Sequence, residues 1–456
     1  MQIHGFRGEL ITADHSDYDT ARAVWNGTVD RRPRLIARCS GTADVAVAIR
    51  FARDHDLEIA VRGGSHNVAG TAVCDDGIVI DLSEMRAVSV DPDGPTAWVQ
   101  GGALWSDVDH ETQAHGLATP GGIVGHTGVA GLTLGGGIGW LMRKYGLTVD
   151  NLVATEVVTA EGTTIRASAA EHPDLFWALR GGGGNFGVVT SFRFALHPVG
   201  PTVLAGPVFW AADDTADVLR FYRDFATNAP EDLGNVVRLG TVPPLEAIPE
   251  ELHFRPAIAV VSCYAGAIKD GERAVQALRQ LGKPLLDLVK PMPYVAHQAD
   301  LDDTVPHGWH YYWKATNLAS LSDEVIAVIA DHAYAARSPR TYAAMFHMGG
   351  AVARVPKDAT AYDGRDAPHN IIIDAVWHPE ESGELAESET EWARGFLEAL
   401  QPHRDAGVYV NFLDSDDGSS RLGEAYGDET YRRLAEVKAK YDPDNVFHHN
   451  QNIRPG

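Results

Sequence analysis

The chain has 456 residues, too many for one compact core, so two or three domains are expected; 45% hydrophobic and 22% charged residues make an ordinary globular composition. Its 38 Lys and Arg against 62 Asp and Glu leave a net charge of −24, which disfavours nucleic acid and anionic membrane surfaces as partners.

Taken in order, Met1 to Arg7 lacks the apolar run of a secretory signal, and no later apolar run is long enough to cross a bilayer. The three cysteines, Cys39, Cys74 and Cys263, cannot all pair and have no C-x-x-C spacing. A reducing compartment follows, and a cytoplasmic protein is expected. Residues 34–61 read as strand, helix and strand: Leu35-Ile36-Ala37, then a helix N-capped by Thr42 with Val45, Ile49 and Ala52 at helical spacing, then Ile59-Ala60-Val61. The second strand runs into Arg62-Gly63-Gly64-Ser65-His66-Asn67 and on to Gly70. Adjacent glycines let backbone N–H groups approach a ligand and form an anion-binding concavity. One imidazole, His66, stands just beyond them.

Residues 78–82 and 97–99 are further strands, and Leu104 to His115 reads as a helix stopped by Gly116. Gly121, Gly122, Gly125, Gly128, Gly131, Gly135, Gly136 and Gly137 then crowd one segment, which continues through Ile138 and Gly139. So much bare backbone predicts a large, flat, phosphorylated ligand lying against it. A helical turn over 140–145, a hairpin of 153–159 with 163–167, and a helix from Pro173 to Arg180 follow. A third bare loop, 181–187, feeds the strand that opens with Val188 and Val189.

The texture changes near Pro198-Val199-Gly200-Pro201. Strand-like runs at 257–263, 341–348 and 370–377 alternate with helical ones at 213–227, 270–281, 320–335 and 385–400, as in an α+β unit. Asn370, Ile372, Asp374 and Val376 share one strand face, while Tyr311-Tyr312-Trp313-Lys314 and Met345-Phe346-His347-Met348 supply further polar and aromatic groups. A last helix opens at Asp428-Glu429, carries Tyr431, Leu434, Val437 and Tyr441 on one side, and is ended by Pro443. No G-x-G-x-x-G opens a helix directly after a strand with an acidic partner downstream, so a nicotinamide-type Rossmann domain is set aside. His448-His449 and the pair His307 and His310 lack companions at ligand spacing, and no metal is expected.

Four parts together resemble the berberine-bridge-enzyme-like group of FAD-linked oxidases, which share the vanillyl-alcohol-oxidase, or PCMH, type of FAD domain. They are Arg62 to His66; Gly121 to Gly139; Arg143-Lys144-Tyr145-Gly146-Leu147 with Asp150-Asn151; and Tyr441-Asp442-Pro443-Asp444-Asn445-Val446-Phe447 with Asn450. The resemblance implies an α+β chain with a two-part FAD domain, residues 1–200 and 406–456. A substrate domain, 201–405, is inserted between them, its antiparallel sheet covered by helices and roofing the flavin. It implies FAD bonded to His66 by a single link, because Val124 stands where many members carry a second, cysteine link. The implied cofactor contacts are Arg62, Gly63, Gly64, Ser65, His66, Asn67, Gly70, Gly121, Gly122, Thr127, Gly128, Gly131, Gly135, Gly136, Gly137, Ile138, Gly139, Gly187, Val188, Val189, Tyr409, Asn411 and Asn450.

The implied reaction moves hydride from the C–H of an alcohol, sugar or amine to flavin N5, while a base takes the O–H or N–H proton. Electrons then pass to dioxygen, giving hydrogen peroxide, and Thr127 stands where related chains control oxygen access. In many members a tyrosine after the tail asparagine is the base. This chain has Phe412 after Asn411, which leaves Tyr409, Tyr312, His347, Lys314 and Asp374 as candidates. An organic electron acceptor in place of oxygen, or flavin binding without turnover, are the alternative readings.

Overall fold

A computed structural model describes residues 3–381, 383–404 and 407–456. The expected division at 405–406, like the first two residues of the N-terminal stretch, lies outside the described residues. Three large sheets carry the fold.

The first sheet places Leu35–Arg38, Ile78–Asp81 and Ile59–Arg62 side by side and parallel, with Glu9–Ile11 added antiparallel at one edge. Parallel neighbours need a crossover, and the helix Thr42–Asp54 supplies it by burying Val45, Ala48, Ile49 and Ala52. Gly41, not Thr42, is its N-cap; Asp44 instead accepts from the Ser40 amide at 3.0 Å, and the Thr42 hydroxyl reaches across to Glu156 at 2.9 Å. The carboxyl ends of the strands bring Arg38 and Arg62 to either side of the buried Asp81 carboxylate. The loop with His66 leaves from this end, where open α/β sheets place ligands.

The second sheet is antiparallel, in the order Val88–Asp91, Thr96–Gln100, Val188–Ala195, Leu152–Val158, Thr164–Ser168. It includes the expected hairpin. Inside the glycine segment, read from sequence as loop, sits a short helix, Val129–Gly135. Its Val129 and Leu134, with Thr133, are buried, which outweighs the low helix propensity of its glycines.

The third sheet is wholly antiparallel and its central strands run Thr202–Ala211, Pro256–Tyr264, Leu233–Thr241, Tyr342–His347, His369–Trp377, His310–Leu318. The first, third and last of these strands were not foreseen. One face carries Val237, Leu239, Met345, Ile371 and Ile373, packed under the helices Thr215–Asn228, Ile268–Arg279, Asp323–His332 and Glu384–Leu400. The other face, with Val236, Ala344, Phe346, Ile372 and Trp313, turns toward the first two sheets.

The chain returns through a helix, Ser419–Tyr441, that is broken at Gly427, where φ is 65°; its second half begins where the sequence reading placed the helix. A buried ion pair then stitches the tail to the third glycine loop. Lys438 Nζ donates to Asp442 Oδ2 at 2.6 Å, to the Asn185 carbonyl at 2.7 Å and to the Phe447 carbonyl at 2.9 Å. Asp442 also accepts from the Val446 and Phe447 amides, and Asn185 Oδ1 accepts from the Ile453 amide.

Candidate functional site

A cavity of about 340 Å³ opens between these parts, walled by all three of the regions just described. Loop residues 63–67, the glycine segment at 122–124, 127–128 and 130–132, the loop at 183–185 with 187–189, and the tail at 409–412 and 449–451 form one side. The inner face of the third sheet forms the other, with Val236, Arg238, Tyr342, Ala344, Phe346, Ile372 and Trp313.

His66 is the most constrained group in that wall. Ser65 before it adopts φ 52°, a left-handed conformation that costs a non-glycine residue about 1 kcal/mol or more, so packing holds the turn in place. Trp25 stacks on the imidazole at 4.2 Å with an interplanar angle of 16°, and is itself fixed by its indole N–H donating to the Val305 carbonyl at 2.9 Å. His126 stacks at 5.0 Å and His307 meets the ring edge-on at 6.4 Å. Burial pushes the His66 imidazole well below its ordinary pKa, and the two neighbouring histidines push the same way. The ring is therefore neutral, and its buried Nε2 has no hydrogen-bond partner. A neutral imidazole with a free nitrogen at a cavity wall is a nucleophile waiting for an electrophile.

The glycines divide into two sets. A Cβ on Gly131 or Gly184 would meet nothing within 4 Å, so both present bare backbone to open space in the cavity wall. Gly121 instead packs on the Trp105 ring, Gly135 on Asn411, Gly136 on Tyr362, Gly137 on Thr148 and Gly139 on the Gly121 carbonyl. Those five are demanded by close packing, and none of them lines the cavity. Arg62 is also behind the wall, where its guanidinium donates to the Ala21 carbonyl. Gly70 and Ile138 take opposite sides of the same distinction: Ile138 lines the cavity and Gly70 packs on Val29.

Tail residues close the site. The Tyr409 hydroxyl accepts from the Gly137 amide at 2.9 Å and from Asn411 Nδ2 at 2.7 Å; burial pushes it up to about 12. Asn450 Nδ2 donates to the Gly184 carbonyl at 3.2 Å, while its buried Oδ1 has no partner. Thr127 and Val124 both line the cavity.

Of the five base candidates, Tyr409 alone lines the cavity. Tyr312 and Lys314 sit on the opposite face of their strand from Trp313: Tyr312 donates to Asp416 at 2.8 Å, and Lys314 pairs with Asp416 at 2.5 Å and Asp417 at 3.1 Å. His347 shares its face with Met345, stacks on His369 at 5.4 Å and is pushed down to about 2 by burial. Asp374 is fully buried directly behind the wall, accepts from the Trp313 indole at 2.6 Å, and is pushed up to about 7 by burial, with Tyr342 and Trp313 nearby pulling the other way. Sequence reading missed Trp25, Arg238 and Tyr342 and gave His126 and His307 no role at the site. For Arg238 the available signal was a lone cation in the otherwise apolar run Val236-Val237-Arg238-Leu239-Gly240.

Comparison with known proteins decides the family. Residues 33–168 match the family described as FAD binding domain, and residues 408–454 match that described as berberine and berberine like. Over 461 residues the chain is 33% identical to (R)-6-hydroxynicotine oxidase of Paenarthrobacter nicotinovorans, covering 98% of this chain and 97% of that one. The chain belongs to the berberine-bridge-enzyme-like FAD-linked oxidoreductases. An FAD-linked oxidoreductase of Dictyostelium discoideum is 31% identical over 436 residues, covering 94% and 91% of the two chains. Among solved structures, 6-hydroxy-D-nicotine oxidase from Arthrobacter nicotinovorans superposes with a TM-score of 0.88 at 33% identity, over 99% of this chain and 98% of that one. Glucooligosaccharide oxidase from Acremonium strictum superposes at 0.86 with 26% identity, over 98% and 97%; that enzyme carries a 6-S-cysteinyl, 8α-N1-histidyl FAD. The residues of this chain fit an FAD, since the partnerless His66 nitrogen and the open backbone at Gly131 and Gly184 line one cavity. Among the described residues, no helix is long and apolar enough to cross a membrane and no group of His, Cys, Asp or Glu side chains is arranged for a metal ion.

Proposed function

We propose that this oxidoreductase is an oxidase whose FAD is bonded to the protein through His66 alone, and that it oxidises a small organic alcohol, sugar or amine with dioxygen as acceptor. The carrying observation is the neutral His66 ring with its free buried nitrogen in the cavity wall. FAD bound there supplies a two-electron acceptor that dioxygen restores, releasing hydrogen peroxide. Residues 1–200 and 406–456 hold it, and 201–405 close over the substrate. Backbone groups of 63–67, 128–131 and 183–189 cradle the phosphates and ring, while Tyr409, Asn411 and Asn450 brace those loops from the tail. Val124 offers no thiol, which leaves the histidyl link single. Three buried, unpaired cysteines suit a reducing compartment such as the cytoplasm.

The chain's own proton acceptor is the pair Tyr342 and Asp374. Tyr342 lines the cavity and Asp374 lies behind it with one oxygen, Oδ2, free of partners. A substrate O–H or N–H proton passes to the Tyr342 oxygen as the tyrosine proton moves to Asp374. A carboxyl at about 7 is well matched to that task at neutral pH. The inner sheet face excludes water around the reacting C–H with Trp313, Phe346 and Ile372.

Acid precipitation tests the link. Wild-type protein is expected to carry its yellow colour into the pellet, and His66→Ala to release it into the supernatant. Colour that leaves the wild-type pellet, or stays in the His66→Ala pellet, refutes the assignment. Peroxide release after anaerobic reduction and admission of air tests the acceptor.

A further inference from the structure

Arg238 is the only Arg, Lys, Asp or Glu in the cavity wall among the described residues. It projects from the centre of the third sheet, with Ala259 and Ala344 as its cross-strand neighbours. Two small side chains leave its long one unobstructed. The guanidinium carbon lies 4.4 Å from the centroid of the Tyr342 ring, and Nη1 donates to the Thr241 carbonyl at 2.9 Å. Nε and Nη2 have no protein partner among the described residues, and no carboxylate there lies within ion-pair distance. The side chain is surrounded by protein yet still touches open space, and that space is the cavity.

A guanidinium taken out of bulk water without a counter-charge is costly, so buried cations are normally paired. The carboxyl whose field it senses, Asp374, bonds Trp313 and is pushed up to about 7, so it is only partly ionised at neutral pH. No carboxylate among the described residues supplies the missing partner, and the free donors border the cavity. An arginine fork with two free donors matches a carboxylate in geometry as well as charge. Around it the walls are flat and apolar: Val236, Val261, Phe346, Ile372 and Trp313. The molecule as a whole is strongly acidic, so an anion is drawn to this spot by the pocket alone and not by the net field.

We propose that Arg238 is a specificity-determining residue of the substrate site, and that the substrate is a flat, largely apolar molecule bearing a carboxylate. The same cation disfavours substrates that carry a protonated amine near it. This rests on the cavity being the site of FAD and substrate.

The test is binding of three matched probes, benzoate, benzamide and benzylammonium, to purified holoprotein, read by calorimetry and by flavin absorbance. Wild type is expected to bind benzoate about tenfold or more tighter than the other two. Arg238→Gln removes that preference, Arg238→Lys keeps part of it, and Arg238→Glu moves it to benzylammonium. Equal binding of benzoate and benzamide to wild type overturns the proposal, as does absence of benzoate binding at millimolar concentration. Benzoate preference that survives in Arg238→Gln overturns it as well. So does a variant that alters flavin absorbance while leaving the probe order intact, because the arginine is then a cofactor contact. Melting temperature and flavin content report whether each variant is folded, and the wild-type comparison stands without any variant. A colourless protein refutes the flavin assignment separately, and calorimetry on it still reads the probe order.

Discussion

Replacing Lys438 by methionine tests how the tail is held over the site. The lysine is fully buried and satisfies three oxygens at once, those of Asp442, Asn185 and Phe447. Methionine fills a similar volume but leaves the buried Asp442 carboxylate without its cation and two carbonyls without a donor. Breaking one partner of a buried pair costs about 3–5 kcal/mol. Asp442→Asn strands the lysine instead and is expected to cost a similar amount. Because both singles break one interaction, the double variant is expected to cost less than their sum by about 1–3 kcal/mol. Urea unfolding monitored by tryptophan fluorescence measures all three, and limited proteolysis of the 441–456 tail reports whether the loss is local. A Lys438→Met cost below about 1 kcal/mol, or strict additivity in the double variant, refutes the view that this pair locks the tail to the loop at 183–185.

Acid should destabilise the fold through His347 and His369. Burial, with Arg143 nearby, holds them at about 2 and about 4, against 6.5 for an unperturbed imidazole. Above about 6.5 both are neutral folded or unfolded; as pH falls from there toward about 4 only the unfolded chain takes up protons, so stability drops by roughly 1.4 kcal/mol per pH unit for each histidine. Melting temperature against pH checks this, and His347→Gln with His369→Asn should flatten the slope; an unchanged slope contradicts it. Asp374→Asn removes the proposed proton sink and is expected to lower kcat by about 10²–10⁴-fold. Because the carboxylate must be ionised to accept, wild-type activity should rise through a pH near 7, and the variant should lose that limb while keeping its flavin. A variant with the wild-type pH profile rules Asp374 out.

The parts legible in the sequence are those whose physics is local. Arg62 to His66, the glycine segment and the tail after Pro443 are contiguous, and each announces a special backbone by its own residues. The helices over the third sheet were also readable, since a 3.6-residue period is written along each one. Tertiary structure decided what a period of two leaves open. On the strand His310–Leu318, sequence pointed to Tyr312 and Lys314, but the fold turns Tyr311 and Trp313 inward, and on Tyr342–His347 it turns Phe346 in and His347 out. A shift of one residue exchanges the faces of a strand, and only pairing with the strands that carry Arg238 and Asp374 sets which one meets the cavity. The surroundings of His66 were equally hidden, because Trp25, His126 and His307 come from separate segments and meet only when the chain has folded. Glycine itself is ambiguous in sequence: the same missing side chain faces open space in the cavity wall at Gly131 and makes room for the Gly121 carbonyl at Gly139, and the difference lies in what the rest of the chain puts opposite.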